Sequence, residues 1–266
     1  PNKKGIVERS VIRIVTPGTV VKDSSLESGE NNHIISLSLS KGIIGLSVAD
    51  ISTGKFLSAQ EKFSDSYETF LVNQLMRFNP SECVLSTKLY EDKELLRVLK
   101  KLPALNIFPF ENSDDYTTDA KNYLQKQFGV KSLRGFGIES KKEAIASSAS
   151  LLGYLEHTQQ QSVEHIKKIK SFKSDNFVIL DRSTIINLEL FSTLREGEKV
   201  GSLISVIDYT VSAAGGRLLK KWLTEPLKKK KQIEQRLNFV EELLFNRNMR
   251  QEVRDHLARL YDIERI

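Results

Sequence analysis

Three consecutive strand-like runs, separated only by turn residues, constrain this chain more than any other feature. Over 33–40 the residues alternate, with Ile35, Leu37 and Leu39 on one side and Ser36, Ser38 and Ser40 on the other, the pattern of a strand with one covered face. Lys41-Gly42 separates this run from a second over 43–51, and Ser52-Thr53-Gly54 separates that one from a third over 55–63. Connections this short join antiparallel neighbours, so the three runs predict a meander. The period then changes. Leu71, Leu75 and Phe78 share one stripe of a predicted helix over 66–78, with Ser66 as N-cap and Asn79-Pro80 as the stop. A buried strand over 83–86, a helix over 92–102 ended by Pro103, a strand over 106–110 and a helix over 117–128 complete the series.

Strand, strand, strand, helix, strand, helix, strand, helix is the order of ribonuclease-H-like folds, three layers with the sheet in the middle. Phosphodiester cleavage is therefore a competing activity for this unit. Two-metal cleavage needs several carboxylates converging on the sheet to hold ions about 4 Å apart. The first strand supplies only serines and aliphatics, and Asp50 is the one carboxylate near the sheet middle. At the end of the second strand, ahead of Ile51-Ser52-Thr53-Gly54, Asp50 is placed to make a turn hydrogen bond.

Beyond Ser140 the strand signal nearly vanishes. The segment 141–159 carries Ala144, Ser148, Leu151, Leu152 and Leu155 at helical spacing, with Ser140 and Glu143 forming a capping box, and predicts a long amphipathic helix. A basic, polar stretch over 162–171 and a brief extended run over 176–180 follow, and Asp181-Arg182-Ser183-Thr184 caps a helix over 185–190. Leu203, Ile204, Val206 and Ile207 predict a buried helical turn, with Asp208 and Thr210 as caps for the next helix. There Leu218, Leu219, Trp222 and Leu223 form one stripe until Pro226. Gly215-Gly216 costs on the order of 1 kcal/mol per residue relative to alanine, which predicts close approach of neighbouring backbone rather than a phosphate cradle. Two amphipathic helices, 232–245 and 248–260, end the series, and the apolar pattern still runs at Asp262-Ile263-Glu264-Arg265-Ile266, as in a chain that continues.

With 266 residues and 39% hydrophobic content, two cores are expected. The single cysteine, Cys83, can form neither an intramolecular disulfide nor a multi-cysteine metal site, and reads as a small buried hydrophobe in a reducing compartment. No apolar run approaches the ~20 residues of a membrane span and no signal peptide is evident, so a cytoplasmic location without a membrane partner is expected. His33, His157, His165 and His256 have no metal-ligand spacing and are expected at surface or boundary positions. No catalytic, cofactor-binding or metal-binding residue is assigned. The net charge of +6 is concentrated: eight basic residues from Arg217 to Arg236 face only Glu225 and Glu234. Within that stretch Lys228, Lys229, Lys230 and Lys231 precede a helix whose dipole their charge opposes, and these four are the candidates for nucleic-acid phosphate contact. The plainer reading of the same run is a solvated loop and helix face.

Several segments together resemble the MutS family of DNA mismatch repair proteins. Arg13-Ile14-Val15-Thr16-Pro17-Gly18-Thr19 is similar to the motif that closes the family's mismatch-recognition domain, and Asp50-Ile51-Ser52-Thr53-Gly54 to a connector-domain segment. Asn187-Leu188-Glu189-Leu190, Gly201-Ser202-Leu203 and the stretch 208–227 resemble the core, or lever, signature; Ile233, Arg236 and Val240 fit the next helix, and Asp262-Ile263-Glu264-Arg265 a further motif. Ser212 and Ala214 depart from the usual Thr and Met, and the lysine run replaces a usual acidic residue. The resemblance implies an α/β plus all-α chain. Residues 1–26 would be the end of the mismatch-recognition domain and a linker, 27–135 a ribonuclease-H-like connector without its active site, and 136–266 the first part of a helical lever.

No phosphate-binding loop Gly-x-x-x-x-Gly-Lys-Ser/Thr occurs in the 266 residues, so no enzymatic activity is expected of this segment. ATP and Mg, mismatched double-stranded DNA, a MutL-type partner and a homodimer are implied for the full-length protein, in which this segment would join the ATPase to the DNA-binding end. The alternative is a self-contained ribonuclease-H-like nucleic-acid-processing enzyme.

Overall fold

Short turns between alternating runs produce the expected meander: β1 (Ile34–Ser40), β2 (Ile43–Asp50) and β3 (Lys55–Lys62) pair antiparallel, with Leu37, Leu46 and Ala59 in one register row. The structure, a computed structural model, describes residues 11, 13–19, 30–160, 163–172 and 177–265; most of the leading segment 1–26 lies outside them. Next come α1 (Glu68–Phe78), β4 (Glu82–Ser86), α2 (Thr87–Tyr90), α3 (Lys93–Leu99), β5 (Asn106–Phe110), α4 (Ser113–Thr117), α5 (Ala120–Gln127), α6 (Lys142–Gln159) and β6 (Lys170–Ser171). β4 lies parallel to β1 and β5 parallel to β4, while β6 adds two residues parallel to β3, giving the order β5-β4-β1-β2-β3-β6.

Alternation along the strands sends side chains to two cores. Ile35, Leu37, Leu46 and Leu85 pack with Leu71 and Leu75 of α1 and Leu95 and Leu99 of α3. On the opposite face Ile34, Ala49, Phe56 and Val84 pack with Leu124 of α5 and Leu151, Leu152 and Leu155 of α6. The serine side of β1, expected to be open, is therefore covered: Ser36 is buried beneath α6, as are its sheet neighbours Ser47 and Ser58. The cause is the composition of α6. Its small residues let it sit so low that a Cβ on Gly45 of β2 would lie 2.1 Å from the Glu143 carbonyl oxygen. The helix supplies hydrogen bonds to two of these buried hydroxyls: Ser47 Oγ lies 2.8 Å from Ser147 Oγ and 2.9 Å from Ser148 Oγ, and Ser58 Oγ donates to the Ala144 carbonyl at 3.1 Å, while Ser36 Oγ has no partner among the described residues.

α6 is thus buried around most of its circumference rather than amphipathic, and it lies on the sheet, although a boundary at 135 had grouped it with the helical unit. That helical unit comprises α7 (Arg182–Asn187), α8 (Leu203–Ile207), α9 (Ala213–Thr224), α10 (Lys230–Phe245) and α11 (Arg247–Ala258). The cap of α9 is Ser212, whose Oγ accepts from the Gly215 N–H; Asp208 instead closes a turn, accepting from the Thr210 amide and hydroxyl. Gly215 accordingly packs against the side chains of Ser212 and Thr210, not against a neighbouring backbone. The expected stripe of α9 is only partly covered, with Leu218 and Trp222 exposed, and neither α10 nor α11 has a buried residue. No helix among the described residues is long and apolar enough to cross a membrane.

Candidate nucleic-acid interface and the joint beside it

Lys228 and Lys229 are exposed in the loop after α9, with Lys229 as the N-cap of α10, and Lys230 and Lys231 open the first turn of that helix. Four cationic side chains thus gather where the unpaired amides of the helix already carry positive charge. Lys230 has a relieving partner in Glu234, 3.6 Å away one turn on, whereas Lys228, Lys229 and Lys231 have no ion pair among the described residues. Close by in sequence, the guanidinium of Arg236 lies 3.8 Å above the centre of the Trp222 ring, fastening α10 to α9.

The motif segments are explained by local turns together with contacts distant in sequence. In Thr16-Pro17-Gly18-Thr19 the Thr19 hydroxyl accepts from the Thr16 N–H at 2.8 Å, and the Gly18 N–H donates to Glu82 Oε2 at 2.8 Å. Glu82 is fully buried at the start of β4 and also accepts from the Tyr154 hydroxyl of α6; Asn32 reaches the Pro17 carbonyl. A Cβ on Gly18 would meet Ile34 at 2.3 Å, so only glycine fits there. The Asp50 carboxylate makes the expected turn, accepting from the Ser52 amide at 3.0 Å and hydroxyl at 2.6 Å. Gly54, at φ +64, lets that hairpin tip approach the His165 carbonyl, to which a Cβ would lie at 2.9 Å. In the helical unit, Arg217 makes a two-pronged bond to Asp262, 2.7 and 2.6 Å, and a further bond of 2.8 Å to Glu264, so two separate motifs meet in one buried guanidinium. This bond is the main cause holding the Asp262 carboxyl below its ordinary pKa.

Between the two units lies a cavity of about 450 Å³ lined by Asn31, Thr53 and Lys55 on one side and Ala214, Arg217 and Lys221 on the other. Burial lowers the Lys55 pKa, and the facing Lys221 charge adds to the effect. At the far edge of the joint, Arg77 of α1 bonds Glu225 at the end of α9, Nε to Oε1 2.7 Å. No group of three His, Cys, Asp or Glu residues is arranged to hold a metal ion among the described residues. His157 and His256 are exposed, and His165 is half-buried, but His33 is a core residue. Arg77 and Glu82 were not singled out by sequence, and neither the pairing of Glu225 with Arg77 nor that of Arg217 with Asp262 and Glu264 was foreseen. A lone acid opening an apolar strand was the available signal for Glu82, and a basic and an acidic motif were the signal for Arg217 with Asp262.

A mixed sheet flanked by helices, tied through such a joint to a helical unit, corresponds to two consecutive domains of one family. The MutS domain II model matches residues 32–167 and the MutS domain III model residues 183–266, so the chain belongs to the MutS family. It is 38% identical over 263 residues to the DNA mismatch repair protein MutS of Halothermothrix orenii, covering 99% of this chain and 29% of that protein. It is 35% identical over 268 residues to the protein of the same name from Syntrophomonas wolfei, covering 99% of this chain and 30% of that protein. With that from Methanococcoides burtonii it shares 34% identity over 263 residues, again 99% of this chain and 29% of the relative. The chain spans about three tenths of the length of these relatives.

Proposed function

We propose that this segment is the mechanical link of a MutS-type mismatch-repair protein, carrying movement between an ATP- and Mg-dependent domain and the domains that grip mismatched double-stranded DNA. The observation that carries this reading is the joint: a sheet unit cored on both faces meets a helical unit that shares neither core, through a few charged fasteners around a cavity, an arrangement suited to rigid-body shifts. The order β5-β4-β1-β2-β3, with β1 to β3 antiparallel and β4 and β5 parallel to β1, supports a ribonuclease-H-like connector. Because α6 packs on that sheet and the two family matches leave 168–182 between them, we place the connector–lever division there rather than at 135. A MutL-type partner docking on the connector, a homodimer of the full-length protein and a cytoplasmic location belong to the same proposal. So does phosphate contact by Lys228, Lys229, Lys230 and Lys231.

The sheet order also favours a second reading, a nuclease of ribonuclease-H type. Against it, Oδ1 of Asp50 is committed to the Ser52 turn. One assay separates the two. The isolated chain is expected neither to hydrolyse ATP nor to cleave DNA with magnesium, and to bind duplex weakly, with a salt dependence that shrinks when the four lysines become glutamine. Magnesium-dependent cleavage lost in Asp50→Asn would overturn the link in favour of the nuclease.

A further inference from the structure

Contact between the units is sparse: α1 and α7 form the one sizeable contact between a described element of the sheet unit and one of the helical unit. Two of the charged fasteners use Glu30, through Lys220 and through its carbonyl with Arg265, and Glu30 is largely exposed. The third is different in kind. Arg77 and Glu225 have side chains only 13% and 8% exposed, and the guanidinium lies 4.8 Å from the ring centre of Phe78, 5.0 Å from Phe172 and 5.3 Å from Phe177. Phe78 and Phe172 belong to the sheet unit, while Phe177 sits in the connecting strand, bridged to Leu227, with the adjacent Val178 N–H donating to the Pro226 carbonyl. One side chain therefore touches the sheet unit, the connection and the helical unit.

We propose that Arg77 is a positioning residue, a releasable latch that sets the angle between the two units through Glu225. An ordinary buried ion pair resists parting because each charge is left bare. Here each partner has an alternative. The Arg77 cation keeps the rings of Phe78 and Phe172 on its own unit and the Gln74 carbonyl oxygen at 3.4 Å, and Glu225 keeps Lys221, 3.9 Å away one turn back on α9. Lys221 and Lys55 face one another across the cavity beside the latch, so their repulsion favours separation whenever Glu225 moves off. Two discrete arrangements, both with partnered charges, are what a switching joint requires. The role of the latch in coupling rests on the link function proposed above; its existence as a latch does not.

The test is the separation of spin labels on Lys88→Cys of α2 and Val206→Cys of α8, both exposed, with Cys83 buried out of reach. A single narrow separation is expected for the parent. Arg77→Met and Glu225→Gln should each raise a second, wider population on the order of a hundredfold, and the double variant no further than either alone. Arg97→Met, which removes an exposed pair with Glu68, should leave the distribution unchanged. If Arg77→Met does not fold, Arg77→Lys keeps the charge but loses the planar stacking and should give an intermediate rise. A folded Arg77 variant whose second population rises less than about threefold, the scale of an exposed pair, overturns the latch. In the whole-length protein, Arg77→Met should retain ATP hydrolysis and duplex binding but lose the effect of ATP on duplex lifetime; absence of ATP hydrolysis in the parent protein would sink the link function and leave the label separations to judge the latch.

Discussion

His33, just ahead of β1, has Nδ1 2.7 Å from the Phe78 carbonyl and its ring edge-on to Phe78, so Nδ1 carries the hydrogen. Nε2 is then a bare acceptor, buried and without a partner among the described residues. Adding a proton there would place a cation in the core near Lys55. Burial first, and the Lys55 charge second, push the pKa down to about 4. An unfolded histidine titrates near 6.5. Between these values the unfolded chain binds more protons than the folded one, so this contribution to stability is complete above about pH 6.5 and falls away toward pH 4, by about 3 kcal/mol. Urea midpoints at pH 7, 5.5 and 4.5 should decline in the parent and decline less in His33→Asn, whose amide can replace the Nδ1 donor; parallel declines would assign the titration to another group. What a residue does was legible when its partner is local. Asp50 and Ser52 are two positions apart and the turn could be read directly, whereas Gly18 and Glu82 are 64 apart and Arg217 and Asp262 45 apart. His33 shares the parity of Ile35, Leu37 and Leu39, so the alternation put it on the covered side, but its residue type suggested a boundary position and only α1 closing over it makes it core.

Among the elements, α6 shows why a helix can be read correctly from its spacing while the extent of its burial is missed. Its helical spacing is plain, but serine and alanine give little contrast between faces, so nothing local says that nearly every side is covered. The information lies in the match between two distant serine sets, Ser47 and Ser58 on the strands and Ser147 and Ser148 on the helix, and in the room that Gly45 leaves. The meander and α1, by contrast, were legible because their period and turns are local. If α6 completes the sheet unit, residues 30–172 should unfold cooperatively as an isolated fragment while 30–135 should not fold. Leu151→Ala, at a fully buried position, should cost the longer fragment about 2–5 kcal/mol. Circular dichroism melting curves decide this, and a cooperative transition in the shorter fragment would mean that α6 only decorates a self-sufficient sheet.

For the molecule as a whole, the two units differ in how they satisfy the hydrophobic effect. The sheet unit buries its large side chains on both faces, whereas α10 carries Leu237, Phe239, Leu244 and Phe245 with 60–80% of their surface open. The periodicity of α10 and α11 was legible, but among the described residues nothing buries the stripe of α10. What keeps these helices in place within them is polar: Arg236 on Trp222, Arg254 on the Tyr209 carbonyl, and Arg217 on Asp262 and Glu264. Large apolar side chains exposed to this extent bind hydrophobic dyes and promote association. The isolated 266 residues should therefore bind such a dye strongly and sediment with a concentration-dependent mass. Leu237→Glu with Phe245→Glu should reduce both effects without lowering the melting temperature of the sheet unit, since α10 contributes nothing to its cores. An undiminished dye signal in that variant would locate the sticky surface elsewhere, and a lowered sheet-unit melting temperature would mean that the units are coupled more tightly than a joint of a few charged contacts allows.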